Sequence, residues 1–102
     1  MSSDDAEADA FLAFVERIAS FDTRLSQLQA AILAAAHLDL AHDTRSFANK
    51  LGVSHALVLR ELTELEMLGD LLAITRRDAR TLRTHYELTA DGKRLLTGPS
   101  EA

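Results

Sequence analysis

The segment RSFANKLGVSHALVLRELTELEMLG, residues 45–69, holds two runs of helically spaced apolar residues with the short sequence GVS between them. Thr44 precedes the first run as its expected N-cap, and Gly52 follows it, a residue that tolerates the left-handed conformation at a helix end. Ser54 can cap the second run, which is longer and ends before Gly69. The segment therefore predicts two helices joined by a short turn, as in a helix-turn-helix.

The apolar period changes from helical to alternating after Gly69. The runs LLAIT (71–75) and LRTHYEL (82–88) are rich in β-prone residues, and the second run alternates between two faces. They flank the sequence RRDART, which we interpret as the tip of a β-hairpin. Thr89 then can cap a last short helix.

Two further helices are predicted before the helix-turn-helix. Apolar residues from Ala8 to Phe21 follow helical spacing, and an alanine-rich helix with Thr23 as its expected N-cap comes next. The predicted order is α-α-α-α-β-β-α, a mainly α fold with a small β-hairpin that corresponds to a winged helix-turn-helix. We divide the chain into a disordered acidic N-terminus at 1–7, an N-terminal helix at 8–22, a winged helix-turn-helix domain at 23–97 and a flexible C-terminus at 98–102.

The composition argues against several classes of protein. The 102 residues are 47% hydrophobic, too many for a disordered chain, and they include no cysteine for a disulfide framework or a thiolate zinc site. The N-terminus lacks an apolar signal-peptide core, and the longest apolar-rich run, residues 30–41, is too short to span a bilayer. We therefore expect a cytoplasmic protein with no membrane segment. Signatures of phosphate-binding loops, nucleophile elbows and metalloproteases are missing, so we expect neither an enzyme nor a cofactor.

Charge is distributed unevenly along the chain. The formal net charge is −5, and residues 1–9 hold four acidic residues and no basic one. Residues 76–83, in contrast, hold four arginines against the single acid Asp78. A positive hairpin can therefore touch a polyanion that the rest of the molecule repels.

These motifs resemble those of a known family. Residues 45–69 resemble the helix-turn-helix of bacterial transcription regulators. The sequence RRDARTLRTHYELTADGKRLL, residues 76–96, resembles the wing and following helix of the multiple-antibiotic-resistance regulator (MarR) family. The Asp-x-Arg pair of that family's wing matches Asp78 and Arg80, and its LT-x-x-G matches residues 88–92.

The resemblance implies a sequence-specific transcriptional regulator that binds double-stranded DNA as a homodimer. The helix 54–68 would lie in the major groove, and the arginine-rich wing would lie in the minor groove or on the backbone. Arg80 would be the inserted side chain, Asp78 would orient its guanidinium, and the other wing arginines would neutralise phosphates. The expected DNA-binding residues are Thr44, Arg45, Ser54, His55, Ala56, Leu59, Arg60, Thr63, Arg76, Arg77, Asp78, Arg80 and Arg83.

A rival interpretation is a winged-helix module that binds an acidic protein partner. Glu61, Glu64 and Glu66 put negative charge on the helix that should meet DNA, whereas Arg60 is its best candidate for a base contact. In the rival interpretation the wing arginines meet the acidic partner. The same helix then presents an apolar patch of Ala56, Leu59 and Met67.

The N-terminal helix carries more apolar residues than one small core needs. We therefore predict that it forms the homodimer contact; the alternative is that it only covers its own domain. The predicted dimerisation residues are Phe11, Phe14, Val15, Ile18 and Phe21.

Histidine and aspartate cluster in HLDLAHD, residues 37–43, at a spacing that zinc or nickel could use. Such residues at helix ends more often cap the helix or face solvent, so we expect no metal. The family resemblance alone would allow a small-molecule effector between the helices, and no residue pattern indicates its pocket.

Overall fold

Five helices and one β-hairpin make up residues 3–97, the part of the chain that the computed structural model describes. The order of the elements and the mainly helical fold with a small hairpin confirm the prediction. The elements are α1 (Ser3–Phe21), α2 (Gln27–His37), α3 (Thr44–Leu51), α4 (His55–Leu68), β1 (Leu72–Arg77), β2 (Thr84–Leu88) and α5 (Ala90–Thr97).

The N-terminal boundary differs from the prediction. α1 begins at Ser3, so residues 3–7, predicted to be disordered, are helical. Acidic residues suit a helix N-terminus because the macrodipole is positive there, and this segment is acidic. Residues 1–2 of the same segment and the predicted flexible C-terminus, 98–102, lie outside the described residues.

α2 is the central element of the core. All its residues from Gln29 to Ala36 are buried, and the helix packs against α1, α4, α5 and β2. Its many alanines explain this position, because short side chains let neighbouring elements approach closely from several sides. The surrounding elements contribute the larger buried side chains, which include Val15, Ile18, Phe47, Val58, Leu62, Leu65, Tyr86 and Leu96.

Two helix N-caps lie next to the residues that were predicted. Ser26, not Thr23, caps α2 in a capping box with Gln29. Asp43, not Thr44, caps α3. In both places several residue types able to cap a helix stand close together, and the tertiary contacts select among them.

The connection between α3 and α4 is as predicted. Gly52 ends α3 with a φ of 68°, and Gly69 ends α4 with a φ of 82°. Ser54 caps α4 by accepting the backbone N–H of Leu57 at 3.1 Å. The two helices are therefore joined by residues 52–54 alone.

β1 and β2 pair as an antiparallel hairpin. Ile74 lies opposite Tyr86, and the register shifts between Ile74 and Arg76, which marks a β-bulge. β1 runs on to Arg77, so Arg76 and Arg77 belong to the strand and not to the predicted tip. The hairpin tip is therefore the loop 78–83.

The chain before α3 pairs with the other edge of β2. The Tyr86 N–H donates to the carbonyl of His42 at 3.1 Å, and Asp43 forms an isolated bridge with His85. This contact brings the start of α3 next to β2. The two elements are consequently fixed relative to each other.

Candidate nucleic-acid interface

The hairpin tip (residues 78–83) is held by its own hydrogen bonds. The Asp78 carboxylate accepts the backbone N–H of Arg80 at 2.9 Å and that of Thr81 at 3.3 Å, and these bonds lower its pKa. The Leu82 N–H donates to the Asp78 carbonyl at 2.8 Å. The tip is therefore a loop of defined shape.

The role of Asp78 differs from the predicted one. Its carboxylate holds the backbone of Arg80 and does not orient the guanidinium, because an aspartate readily accepts the N–H two residues further on. The Arg80 side chain is exposed and forms no hydrogen bond or ion pair within the described part of the chain. Its guanidinium is thus free to meet a partner.

Arg83 is fixed to the start of α3. Its Nε donates to Asp43 Oδ2 at 2.7 Å, and its Nη2 donates to Ser46 Oγ at 3.2 Å. Burial raises the pKa of Asp43, but the bonds from Arg83 and Ser46 outweigh it and lower the pKa to about 2. The same carboxylate raises the pKa of Arg83. Arg83 therefore joins the hairpin to α3, a role that the sequence did not predict, and Asp43 neutralises its charge.

α4 and the hairpin border a common cleft. Arg77 Nη2 donates to Glu66 Oε1 at 2.7 Å and ties the end of β1 to the helix. The cleft has a volume of about 420 Å³. The two elements predicted to meet DNA are therefore adjacent. Their contributions to the lining include Leu59, Thr63 and Glu66 from α4 and Arg77, Ala79 and Leu82 from the hairpin.

Thr44 and His55 form a junction behind this cleft. Thr44 is fully buried; its Oγ1 lies 2.7 Å from His55 Nε2 and accepts the Thr84 N–H at 3.0 Å. Burial and, next, the nearby charge of Arg45 lower the pKa of His55. Thr44 therefore fixes α3, α4 and β2 to one another, which corrects its predicted role as a DNA contact.

The glutamates of α4 are turned toward other elements. Ser26 Oγ donates to Glu61 Oε1 at 2.8 Å, and Gln29 Nε2 donates to Glu64 Oε2 at 3.4 Å, so both carboxylates face α2. Glu66 is the partner of the hairpin arginine described above. Glu61 and Glu66 are thus partly buried, whereas Glu64 remains exposed on the helix.

The solvent-facing side of α4 carries Ala56, Arg60, Thr63, Glu64 and Met67. The Arg60 side chain is 72% exposed, and its Nε lies 3.9 Å from Glu61. Met67 is 80% exposed, the highest value among the large exposed hydrophobic residues described. This side of the helix therefore mixes one cation, one carboxylate, one hydroxyl and apolar groups.

Two further predicted arginines are exposed. The side chains of Arg45 in α3 and Arg76 in β1 form no hydrogen bond or ion pair with any other residue between 3 and 97. Ser54, in contrast, uses its hydroxyl to cap α4. The exposed arginines of the candidate interface are accordingly Arg45, Arg60, Arg76, Arg77 and Arg80, and among them Arg77 is hydrogen-bonded to Glu66.

Comparisons with protein-family models, curated proteins and solved structures return no match for this chain. Its function must be inferred from its own geometry and charge.

The predicted dimerisation residues divide into two groups. Val15 and Ile18 are 1% and 0% exposed and lie in the chain's own core, so they cannot form a contact between two copies. Phe11 and Phe14 pack against that core with part of their surface open, and Phe21 is 47% exposed. The prediction failed for the first pair because helical spacing does not separate a core stripe from an interface stripe.

A groove lies beside the open part of α1. It has a volume of about 760 Å³, and the apolar side chains of Phe11, Phe14, Leu38, Leu40 and Leu96 contribute to its walls. Glu7 and Arg17 also line it. Two exposed leucines, Leu38 and Leu40, thus lie beside the partly buried phenylalanines of α1.

The His and Asp cluster at 37–43 does not converge. His42 Nε2 lies 2.5 Å from Asp39 Oδ1, whereas Asp43 points to Arg83. Among the described residues, no three His, Asp or Glu side chains are arranged to hold a metal ion. A search of the same residues finds no helix with the length and apolarity needed to cross a membrane.

Proposed function

We propose that this chain is a MarR-like winged helix-turn-helix protein that binds double-stranded DNA and regulates transcription. The observation that carries the proposal is the cleft shared by α4 and the hairpin, with exposed arginines on both elements. On the hairpin, Arg76 and Arg80 have no ion-pair partner among the described residues, and on α4 the Arg60 side chain is 72% exposed. Cations without internal partners are the groups that release counterions when they meet phosphate.

In the proposed complex, α4 enters the major groove and the hairpin tip enters the neighbouring minor groove. A major groove about 12 Å wide admits a helix, and Arg60 suits a bidentate guanine contact that discriminates by about 1–3 kcal/mol. Arg80 is presented by a preformed loop, so little backbone entropy is lost when its guanidinium enters a narrow, negative minor groove. Arg45 and Arg76 then neutralise phosphates.

The acidic composition is compatible with this proposal. Of the three α4 glutamates, Glu61 and Glu66 are partly buried and bond to Ser26 and Arg77, so Glu64 alone is exposed on the helix. Glu7, from the acidic N-terminal segment, lines the groove beside α1 with Leu40 and Leu96 and does not line the cleft between α4 and the hairpin.

We further propose that the protein acts as a homodimer through the groove beside α1. The groove offers the exposed parts of Phe11 and Phe14 together with Leu38 and Leu40. Two copies related by a two-fold axis would each contact one half-site of a palindromic DNA sequence.

Fluorescence anisotropy with labelled duplexes tests the DNA proposal. Three arginines, Arg45, Arg76 and Arg80, have side chains without partners among the described residues. If each neutralises one phosphate and contributes roughly 0.9 to the slope of log affinity against log salt, the slope is about −2.7 per subunit. Between about 50 and about 200 mM salt, affinity should then fall about 40-fold per subunit. The absence of binding to mixed genomic fragments at low salt would refute the proposal.

The second candidate function is binding of an acidic protein, and the exposure of Met67 favours it. An 80% exposed methionine on α4 is suited to an adaptable protein contact. The same titrations separate the two functions, because only the DNA proposal requires affinity for random duplexes at low salt.

A further inference from the structure

Leu82 adopts a backbone conformation that leucine normally avoids. Its φ is +64°, and the other described non-glycine residue with positive φ is Asp39, a type that tolerates this region far better. Leu82 is also 59% exposed. A strained backbone and an exposed large apolar side chain therefore coincide at one position of the hairpin tip.

The loop around Leu82 holds it in this state. The Leu82 N–H donates to the Asp78 carbonyl at 2.8 Å, and the Leu82 carbonyl accepts the Thr84 hydroxyl at 3.0 Å. The Asp78 N–H donates to the Arg83 carbonyl at 2.9 Å and closes the loop. Strain that persists because its surroundings impose it is characteristic of functional segments.

The strained residue lies on the wall of the cleft between α4 and the hairpin. Leu82 and Ala79 line it from the hairpin, and Leu59 lines it from the helix. The two carboxylates of the cleft already have partners: Glu66 accepts a hydrogen bond from Arg77, and Asp78 accepts from backbone N–H groups. The cleft is thus an apolar surface between two elements that carry exposed cations.

We infer that Leu82 packs against the deoxyribose of the DNA strand that passes between α4 and the hairpin. The inference rests on the proposed function. When a helix occupies one groove and a hairpin the next, the strand that separates the two grooves must run through the space between them. The carbon atoms of its sugars are apolar, and its phosphates lie within reach of the neighbouring arginines. Leu82 lines the cleft through which this strand would pass.

This contact has two properties that an arginine contact lacks. Burial of apolar surface releases no counterions, so its loss leaves the salt dependence of binding unchanged. Every nucleotide carries the same sugar, so the loss is equal for all DNA sequences.

Two variants of Leu82 separate binding from strain. Leu82→Ala removes the side chain and keeps the strained backbone, whereas Leu82→Gly removes both. Both variants should bind a mixed-sequence duplex about tenfold more weakly, as expected for partial loss of a buried leucine, with the wild-type salt slope. Only Leu82→Gly should raise Tm, because glycine adopts positive φ without strain.

Matched variants complete the experiment. Leu51→Ala removes a 38% exposed leucine whose groove lies between α1, α2 and α3, so it should keep wild-type affinity. In Arg80→Ala, the slope of log affinity against log salt should be about 1 less negative than in the wild type.

The outcomes separate failure of the Leu82–sugar contact from failure of the DNA-binding proposal. If the wild type binds DNA and Arg80→Ala flattens the slope while both Leu82 variants bind as tightly as the wild type, the sugar contact is wrong and the DNA-binding proposal stands. If the Leu82 variants alter the salt slope, the contact is also wrong. If the wild type binds no duplex, both proposals fail together.

Discussion

The pair formed by Asp43 and Arg83 gives a quantitative prediction about the link between α3 and the hairpin. Asp43→Asn keeps an oxygen that can cap α3 but removes the charge that Arg83 Nε meets at 2.7 Å. The pKa of Asp43 is lowered from 3.8 to about 2, and each pKa unit corresponds to about 1.4 kcal/mol. After a discount for solvent screening, since Arg83 is 42% exposed, Asp43→Asn should lower the free energy of unfolding by about 1–2 kcal/mol.

The effect should depend on pH in a defined direction. Because the folded pKa of Asp43 lies below the unfolded value, the unfolded state binds more protons between pH 3.8 and about pH 2. The stabilisation is therefore complete above pH 3.8 and is lost as the pH falls toward 2. Wild type and Asp43→Asn should thus differ most at neutral pH and converge in acid.

Urea unfolding followed by circular dichroism measures this difference. Asp43→Ala should lose about 1 kcal/mol more than Asp43→Asn, because it also removes the cap. Asp39→Asn is the control: its carboxylate is 88% exposed and asparagine tolerates its positive φ, so the change should stay below about 0.5 kcal/mol. Equal stability of wild type and Asp43→Asn at neutral pH would refute the reasoning.

Four further predictions concern the core, a titrating residue and the dimer. Gly92→Ala should lower the free energy of unfolding by about 1–3 kcal/mol, because a Cβ there would collide with the Leu71 carbonyl oxygen; an unchanged urea midpoint contradicts this. Tyr86→Phe should match the wild type or gain up to about 1 kcal/mol in urea unfolding, because the buried hydroxyl lacks a partner among the described residues; a larger loss would show that the hydroxyl is bonded. The pKa of His55 is lowered below 6.5, so the unfolded state binds the proton more readily and stability should decline as the pH falls through 6.5. A series of Tm values measured against pH should lose this decline in His55→Asn; the same pH dependence of Tm in variant and wild type contradicts the assignment to His55. Sedimentation should show a wild-type dimer at micromolar concentration and a folded Leu40→Glu monomer; a wild-type monomer excludes the proposed dimer.

The order of the elements could be predicted because the chain marks it locally. Helical spacing, the glycines at 52 and 69 and the change of period after α4 each act within a few residues, and the structure has the same order. The N-cap of α3 could not be predicted in the same way, because the neighbouring residues Asp43 and Thr44 are both able to cap a helix. The choice depends on contacts with β2, which no local pattern contains.

The roles of the individual arginines could not be read from the sequence. Arg76, Arg77, Arg80 and Arg83 form one charge run, yet two of them have carboxylate partners on other elements. The partner of Arg83 lies 40 residues earlier in the chain, so only the fold reveals it. Leu82 was missed because its positive φ depends on the closed loop, and leucine gives no local signal for that conformation.

The most direct test of the account compares Arg80→Ala with Arg83→Gln in DNA binding over a range of salt concentrations. Arg80 has no ion-pair partner in the described part of the chain, whereas Arg83 is bonded to Asp43. Arg80→Ala should therefore flatten the salt slope by about 1 per subunit at unchanged Tm, and Arg83→Gln should keep the slope and lower Tm. Binding that is independent of salt in the wild type, or an Arg80→Ala variant with the wild-type slope, would contradict the account.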